Sequence, residues 1–383
     1  MSMNIDMNVE EGSAISKTHI QKQTTMTTQA KKPINLPLIL LNCSLMTVGV
    51  LGGPLLLRLY YIHGGNRRWL TSCIQNAGFP ILLFPLIYLY ILHTKKTKLS
   101  NASFFMEPKL FVSSALIGVL FGLDNFMYAL GLSYIPVSTS SLLFATQLAF
   151  LAVFSRLIVK QKFTAFSINA VVLMTLGSIL LGIRNEGDRP LGVTKAEYLL
   201  GFLLTLGSAA LVGFILPLIE LSYSRATRTF NYSTVMQFQF NAAIFSTIFN
   251  LIGMLINKDF QAIPQEANEY KLGSTMYYFV LVAGAVIWQL SFIGGLGVIL
   301  YTSSLFSGVF TAVLLPFTEV AAVIVYHESF TGEKGMALAL CLWGFTNYFY
   351  GEYRKMKHME ITEPMKQDQV IITPHDDEQS CTV

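Results

Sequence analysis

The sequence predicts an all-α membrane protein, and three observations lead there. The chain is 53% hydrophobic. Charged residues make up 13% of it, against about 25% in soluble domains. Its apolar residues gather into ten continuous runs, each of about 20 residues, the length that crosses ~30 Å of hydrocarbon as a helix. A closed β-barrel is a poor alternative, because lipid-facing strands alternate apolar and polar residues and these runs do not.

The runs fall at 38–59, 70–92, 110–134, 138–159, 165–183, 197–222, 233–256, 275–300, 303–326 and 335–352. The joins at 135–137 and 301–302 are too short for anything but antiparallel hairpins. Residues 1–37 are polar, rich in Thr, Gln and Lys, and contain no apolar core followed by a small-residue cleavage site. They are expected to form a disordered cytoplasmic tail, with the first span as insertion signal. The expected organisation is then a first five-helix repeat over 38–183, an external linker at 184–196, a second repeat over 197–353 and a disordered cytoplasmic tail over 354–383.

Orientation is read from Lys and Arg, which accumulate on the cytoplasmic side. With the N-terminus inside, 17 of the 26 basic residues fall in inner segments, among them Lys95, Lys96, Lys109, Arg156, Arg225 and Arg354. Both termini are therefore expected in the cytoplasm. Arg58, Arg67 and Arg68 in and around the first external loop run against the trend. The sequons at Asn101 and Asn231 fall on the inner side and are expected to stay unglycosylated.

A shift of 167 residues lays Tyr134 on Tyr301, Ser140 on Ser307 and Phe163-Thr164 on Phe330-Thr331. A shift of 163 lays Pro54 on Pro217. Five spans per half makes the halves opposite in orientation, the layout that places a transporter's site at the midplane between repeats. Two apolar halves also share some similarity by chance.

The polar residues inside the runs are the candidates for function. Asp124 lies ten residues, about 15 Å, from the outer end of the third span. A charge there costs roughly 3 kcal/mol or more, so it reads either as a proton-exchanging group or as a structural carboxyl bonded to a neighbouring helix. Tyr128 is one turn further on the same face. Glu319, about 10 Å from the outer end of the ninth span, follows Pro316, which is expected to loosen that helix. It is the second candidate for proton coupling, the alternative being an ion pair. Glu220 lies near an inner end, where snorkelling or a pair with Arg225 would account for it. Gln75, Asn76, Asn125, Gln147, Gln237, Gln239, Asn241 and Gln289 each offer donor and acceptor together, as the edge of a nitrogen heterocycle requires. Each is equally the type of residue that joins helices. Trp288, with Phe144 or Phe310, offers stacking faces, and Trp69 reads as an interfacial anchor.

Absences narrow the function. No Lys or Arg occupies mid-span, where a pocket for phosphates or nucleotide sugars would want one. No HExxH, P-loop or Gly-x-Ser-x-Gly occurs, and the four cysteines have no paired spacing. An enzyme, a cofactor, a metal site and a nucleic-acid partner are not expected.

Four stretches resemble the plant purine permeases of the drug/metabolite transporter superfamily: HGGNRRWLTSCIQNAGFPILLFPL (63–86), GLDNFMYALGLSYIPVSTSSLLFATQLAF (122–150), PLIELSYSRA (217–226) and VFTAVLLPFTEVAAVIVYHESFTGEKG (309–335). The resemblance covers about 38–353. It implies ten helices in two inverted five-helix repeats and proton-coupled uptake of adenine, cytokinins and related bases. Some members move pyridoxine-type vitamins or alkaloids. Trp69 to Pro80, Asp124-Asn125 and Pro316 with Glu319 are family-like positions. Asn76 departs from the Thr that commonly precedes Ala-Gly-Phe-Pro.

The expected protein is a plasma-membrane symporter working by alternating access on a small nitrogenous heterocycle and a proton. Its expected substrate contacts are Gln75, Asn76, Asp124, Asn125, Tyr128, Gln147, Gln239, Trp288 and Gln289, with Asp124 and Glu319 carrying the proton. The competing readings are a nucleotide-sugar exchanger of the same fold and a membrane receptor that does not transport. Oligomeric state is left open.

Overall fold

The structure is a computed structural model that describes residues 36–96, 106–160, 165–183, 190, 192–226, 232–327 and 330–371. Ile39–Val383 forms one compact unit; of the other, Met1–Leu38, the helical residues from Leu36 on are described. The described residues are helical, with no strand among them.

The helices are α1 (Leu36–Ile62), α2 (Arg68–Ala77), a 3-10 turn (Phe79–Leu82), α3 (Leu83–Lys96), α4 (Pro108–Tyr134), α5 (Val137–Phe144), α6 (Gln147–Ile158) and α7 (Ala165–Ile183). They continue with α8 (Lys195–Ser224), α9 (Tyr232–Ile256), α10 (Asp259–Glu269), α11 (Ser274–Tyr301), α12 (Ser304–Tyr326) and α13 (Gly332–Ile371). Eight stretches among the described residues are long and apolar enough to cross a membrane. These are α1, α2 with α3, α4, α5 with α6, α8, α9, α11 and α12. The protein is therefore an integral membrane protein. Of the remaining three helices, α7 and α13 pack on each other, and α10 is the short helix Asp259–Glu269. α13 runs through Ile371, past the end expected near 352, over a Glu-, Lys- and Met-rich stretch of high helix propensity.

Two spans expected as single helices are broken. The second turns 3-10 at Phe79–Leu82, where Pro80 and Pro85 remove backbone donors and Gly78 lies against α11, 2.3 Å from the Ala285 carbonyl oxygen for an added Cβ. The fourth breaks at Ala145-Thr146 without proline. There the hydroxyls of Ser141 and Thr146 donate to the carbonyls of Ser138 (2.9 Å) and Leu143 (2.6 Å). Such bonds compete with the helix ladder and bend it. Pro316, by contrast, leaves α12 continuous.

Lipid supplies no hydrophobic drive between spans, so close packing depends on small residues. At the crossing of α1 and α11, a Cβ on Gly49 would stand 2.3 Å from that of Ser291, and one on Gly294 2.4 Å from the Asn42 carbonyl oxygen. The largest apolar cluster fills the middle, with Met46, Phe121, Leu148, Leu216, Leu296 and Leu315 among its members.

One end is closed by a polar cluster. Glu266 of α10 accepts hydrogen bonds from the hydroxyls of Tyr60 and Tyr277 (3.1 Å) and from the Asn66 backbone N–H (3.2 Å). Arg67 lies 3.4 Å from Glu266 and 3.6 Å from Asp259. Burial and the neighbouring Glu266 carboxylate push the Tyr270 hydroxyl up to about 12.

Substituting Gly49→Leu is expected to separate α1 from α11 and lower stability by about 1–3 kcal/mol, the usual penalty for overpacking. Thermal melting of the purified protein in detergent, compared with wild type, measures it.

Candidate functional site

A cavity of about 130 Å³ lies in the middle of the bundle, between α1, α2, α4, α5, α6, α8, α11 and α12. That is comparable to the cavity of about 150 Å³ that holds benzene in an engineered core, so the space suits a small planar ring.

Its walls are aromatic. Tyr128 meets Phe144 edge-on at 5.5 Å and Trp288 at 5.9 Å, and Phe121 meets Phe292 at 5.2 Å; all five line the cavity. Edge-to-face pairs hold rings rigidly and leave faces for a planar guest. Leu57, Leu132, Val137 and Ala322 form with Tyr128 a small apolar cluster that also packs on the cavity-lining Phe144 and Trp288. Tyr326 ties α12 to the turn after Pro54, its hydroxyl donating to the Leu55 carbonyl at 2.5 Å.

Polar groups are few and convergent. Asp124, 6% exposed, accepts a 2.6 Å hydrogen bond from Ser208 of α8. Gln147 stands at the break between α5 and α6, 3% exposed, and its Oε1 accepts no hydrogen bond among the described residues. Gln75 lines the cavity and donates to the Asn125 carbonyl at 3.0 Å. Among the described residues no group of three His, Cys, Asp or Glu side chains is placed to hold a metal ion.

Seven of the residues singled out from the sequence meet here: Gln75, Asp124, Asn125, Tyr128, Phe144, Gln147 and Trp288. Four do not line this cavity. Asn76 donates to Ser246 of α9 at 2.8 Å, a helix-to-helix bond. Gln289 is fully buried with both amide atoms unpartnered among the described residues, packed under the helix break at Gly78. Gln239 is buried on α9. Glu319 is fully buried on α12, one turn beyond Leu315, which does reach the cavity.

Other assignments change. Asn241 joins α9 to α4 by donating to Ser114 (2.5 Å) and Phe111 (3.0 Å). Gln237 accepts from the Met106 backbone N–H at 2.9 Å. Trp69, half-buried at the start of α2, stacks on Phe126 at 3.8 Å and fills the space over Gly253. Phe310 stacks with Phe306, away from the cavity lining. Glu220 accepts from the Ser304 backbone N–H at 2.8 Å, capping the N-terminus of α12. The sequons at Asn101 and Asn231 lie outside the described residues.

Sequence reasoning missed the hydroxyls. Ser208, Ser141, Ser291, Ser307 and Thr311 bond Asp124 or line the cavity. A hydroxyl in an apolar helix commonly bonds its own backbone, as Thr311 does to Ser307 at 3.0 Å, so nothing in the one-dimensional pattern marks it.

A spanning helical bundle enclosing a small aromatic-walled cavity, with one carboxyl and amides turned into it, has the form of a solute transporter. The comparisons carry the assignment further. A family described as purine nucleobase transmembrane transport matches residues 37–358. Purine permease 3 of Arabidopsis thaliana is 47% identical over 319 residues, covering 83% of this chain and 91% of the relative. Purine permease 2 from the same plant is 42% identical, covering 83% and 92%, and probable purine permease 4 is 40% identical, covering 78% of each. The chain belongs to the purine permease family. It is a membrane transporter and not an enzyme.

Asn241→Leu tests the division between joining residues and cavity residues. It is expected to cost roughly 0.6–2 kcal/mol of stability, the range of interhelical hydrogen bonds in membranes, and to leave substrate affinity unchanged. Thermal melting and substrate competition on the same preparation separate the two.

Proposed function

We propose that the protein is a proton-coupled symporter that takes up purine-type bases such as adenine and cytokinins, or related alkaloids and vitamins, by alternating access. The observation that carries this is the meeting of Asp124 and Gln147 in one aromatic-walled cavity. The names of the relatives support purines as the substrate class.

A planar base enters between Trp288, Tyr128 and Phe144, which supply its apolar contacts. Gln147 accepts from an exocyclic amine or ring N–H, repairing its unpartnered oxygen. Asp124 is the proton carrier. Charged, it is costly at a buried position among aromatic walls; protonated, it is neutral and can donate to a ring nitrogen. Binding of proton and base together therefore favours the occluded state, and loss of the proton inside favours release. A ligand drives the cycle only through such a difference between states. Glu319, which stands behind the cavity wall, is assigned a structural place in α12.

The ten-helix layout in two inverted repeats fits how the helices meet. Exchanging the first five expected spans for the last five turns the contact of α4 with α8 into that of α11 with α1. It also turns the contact of α4 with α9 into that of α11 with α2. α7 with α13, and α5–α6 with α12, map onto themselves. The paired loops around Arg67 and α10 share one end of the bundle, as the inverted-repeat layout requires whichever way it is oriented. Residence in the plasma membrane belongs to the same proposal.

Uptake of labelled adenine by transport-deficient cells tests it. Uptake is expected to rise as external pH falls and to collapse with a protonophore; indifference to both would remove proton coupling. Asp124→Asn is expected to abolish accumulation, and Glu319→Gln to preserve its pH dependence. Gln147→Leu is expected to weaken apparent affinity roughly threefold to tenfold, the worth of one neutral hydrogen bond of about 0.5–1.5 kcal/mol. Unlabelled cytokinins, nucleobases, vitamins and alkaloids as competitors rank the substrates.

A further inference from the structure

Away from the central cavity, α4 and α8 diverge toward the end where α4 begins and α8 stops. Near the opposite end they touch closely: a Cβ on Gly131 would stand 2.5 Å from Thr205 Oγ1. Mid-helix they are joined by Asp124 and Ser208. Beyond that they leave a groove of about 620 Å³.

The groove walls are apolar, formed by Leu110, Ile117, Leu120, Leu218 and Leu221. Its two serines are spent on their own helices, Ser113 donating to the Lys109 carbonyl (3.0 Å) and Ser222 to that of Leu218 (2.8 Å). From Lys109 to Leu120 it extends eleven residues along α4, about 16 Å, which is the depth of one leaflet of a ~30 Å core.

Among the described lining residues, the charged ones stand at one rim. Lys109 and Arg225 are both exposed there, with Glu107 beside them. The N-terminus of the 27-residue α4 opens at the same place, and its N-cap residue, Glu107, makes no side-chain capping hydrogen bond. Two cations, a helix N-terminus and one carboxylate complement a headgroup with two anions and one ammonium. This is the end predicted to face the cytoplasm, and a basic rim between spans on that side is a setting for anionic lipid.

We propose that this groove seats one phospholipid of the phosphatidylserine type. Lys109, Arg225 and the start of α4 hold its phosphate and carboxylate, Glu107 its ammonium, and the leucine-lined walls an acyl chain. Phe121 and Leu216, which line the central cavity, lie next to the groove residues Leu120 and Leu218. An occupant would thus steady the two helices that Asp124 and Ser208 join.

Lipid retention is read by native mass spectrometry on full-length protein extracted from phosphatidylcholine vesicles with and without phosphatidylserine. Wild type is expected to retain one phosphatidylserine in preference to phosphatidylcholine. The pair Lys109→Gln and Arg225→Gln is expected to weaken retention roughly fivefold per cation removed. Lys109→Arg with Arg225→Lys is expected to restore it. Equal retention of the two lipids, or unchanged retention in the Gln variant, overturns the proposal. Displacement by soluble glycerophosphoserine as readily as by the lipid overturns a lipid occupant. No substrate enters this measurement, so its result stands apart from the uptake experiments.

Discussion

A carboxyl group held in the middle of a membrane must be given partners, and the placement of Asp124 governs much of this protein. Ser208 reaches it from α8 at 2.6 Å, so the helix bearing the acid and the first helix after the midpoint of the chain are joined through it. Aromatic side chains take up the rest of the surrounding surface. The cavity is left small and largely apolar in its walls, which makes each buried polar group in it costly when unmatched. That cost is what a matching guest relieves.

Polar residues elsewhere in the spans are mostly matched already. Ser72 bonds Asn250 at 2.7 Å, Asn76 bonds Ser246, Asn241 bonds Ser114, and Glu220 caps α12. These bonds line the seams between helices, where hydrocarbon offers no alternative partner. Gln147, Gln239 and Gln289 each keep an amide atom without a partner among the described residues, and of these three Gln147, at the break between α5 and α6, lines the cavity. Two hydroxyls bond back to the chain at the break, and the helix resumes at Gln147.

The same economy explains the two ends. At one, tyrosines and Arg67 surround Glu266, so that its charge is matched in a compact cluster. At the other, α4 and α8 spread apart, and the apolar walls between them lie open to whatever the bilayer supplies.

The helices were legible because a lipid core demands continuous apolar runs about 20 residues long, and composition alone exposes them. Asp124 was legible for the same reason, since a charge in such a run stands out against its neighbours. Which amides face a guest was not. Gln75 and Asn76 are adjacent in sequence, yet one lines the cavity and the other bonds α9, because neighbours on a helix point about 100° apart. Ser208 lies 84 positions from Asp124 and carries no mark in an apolar helix; only packing brings the two together. The sequence by itself determined a membrane-spanning helical protein with an acid at mid-depth, since solvation by lipid acts on each segment separately. The tertiary structure decided which polar side chains meet around one cavity, since that depends on helix rotation and crossing, which no single segment encodes.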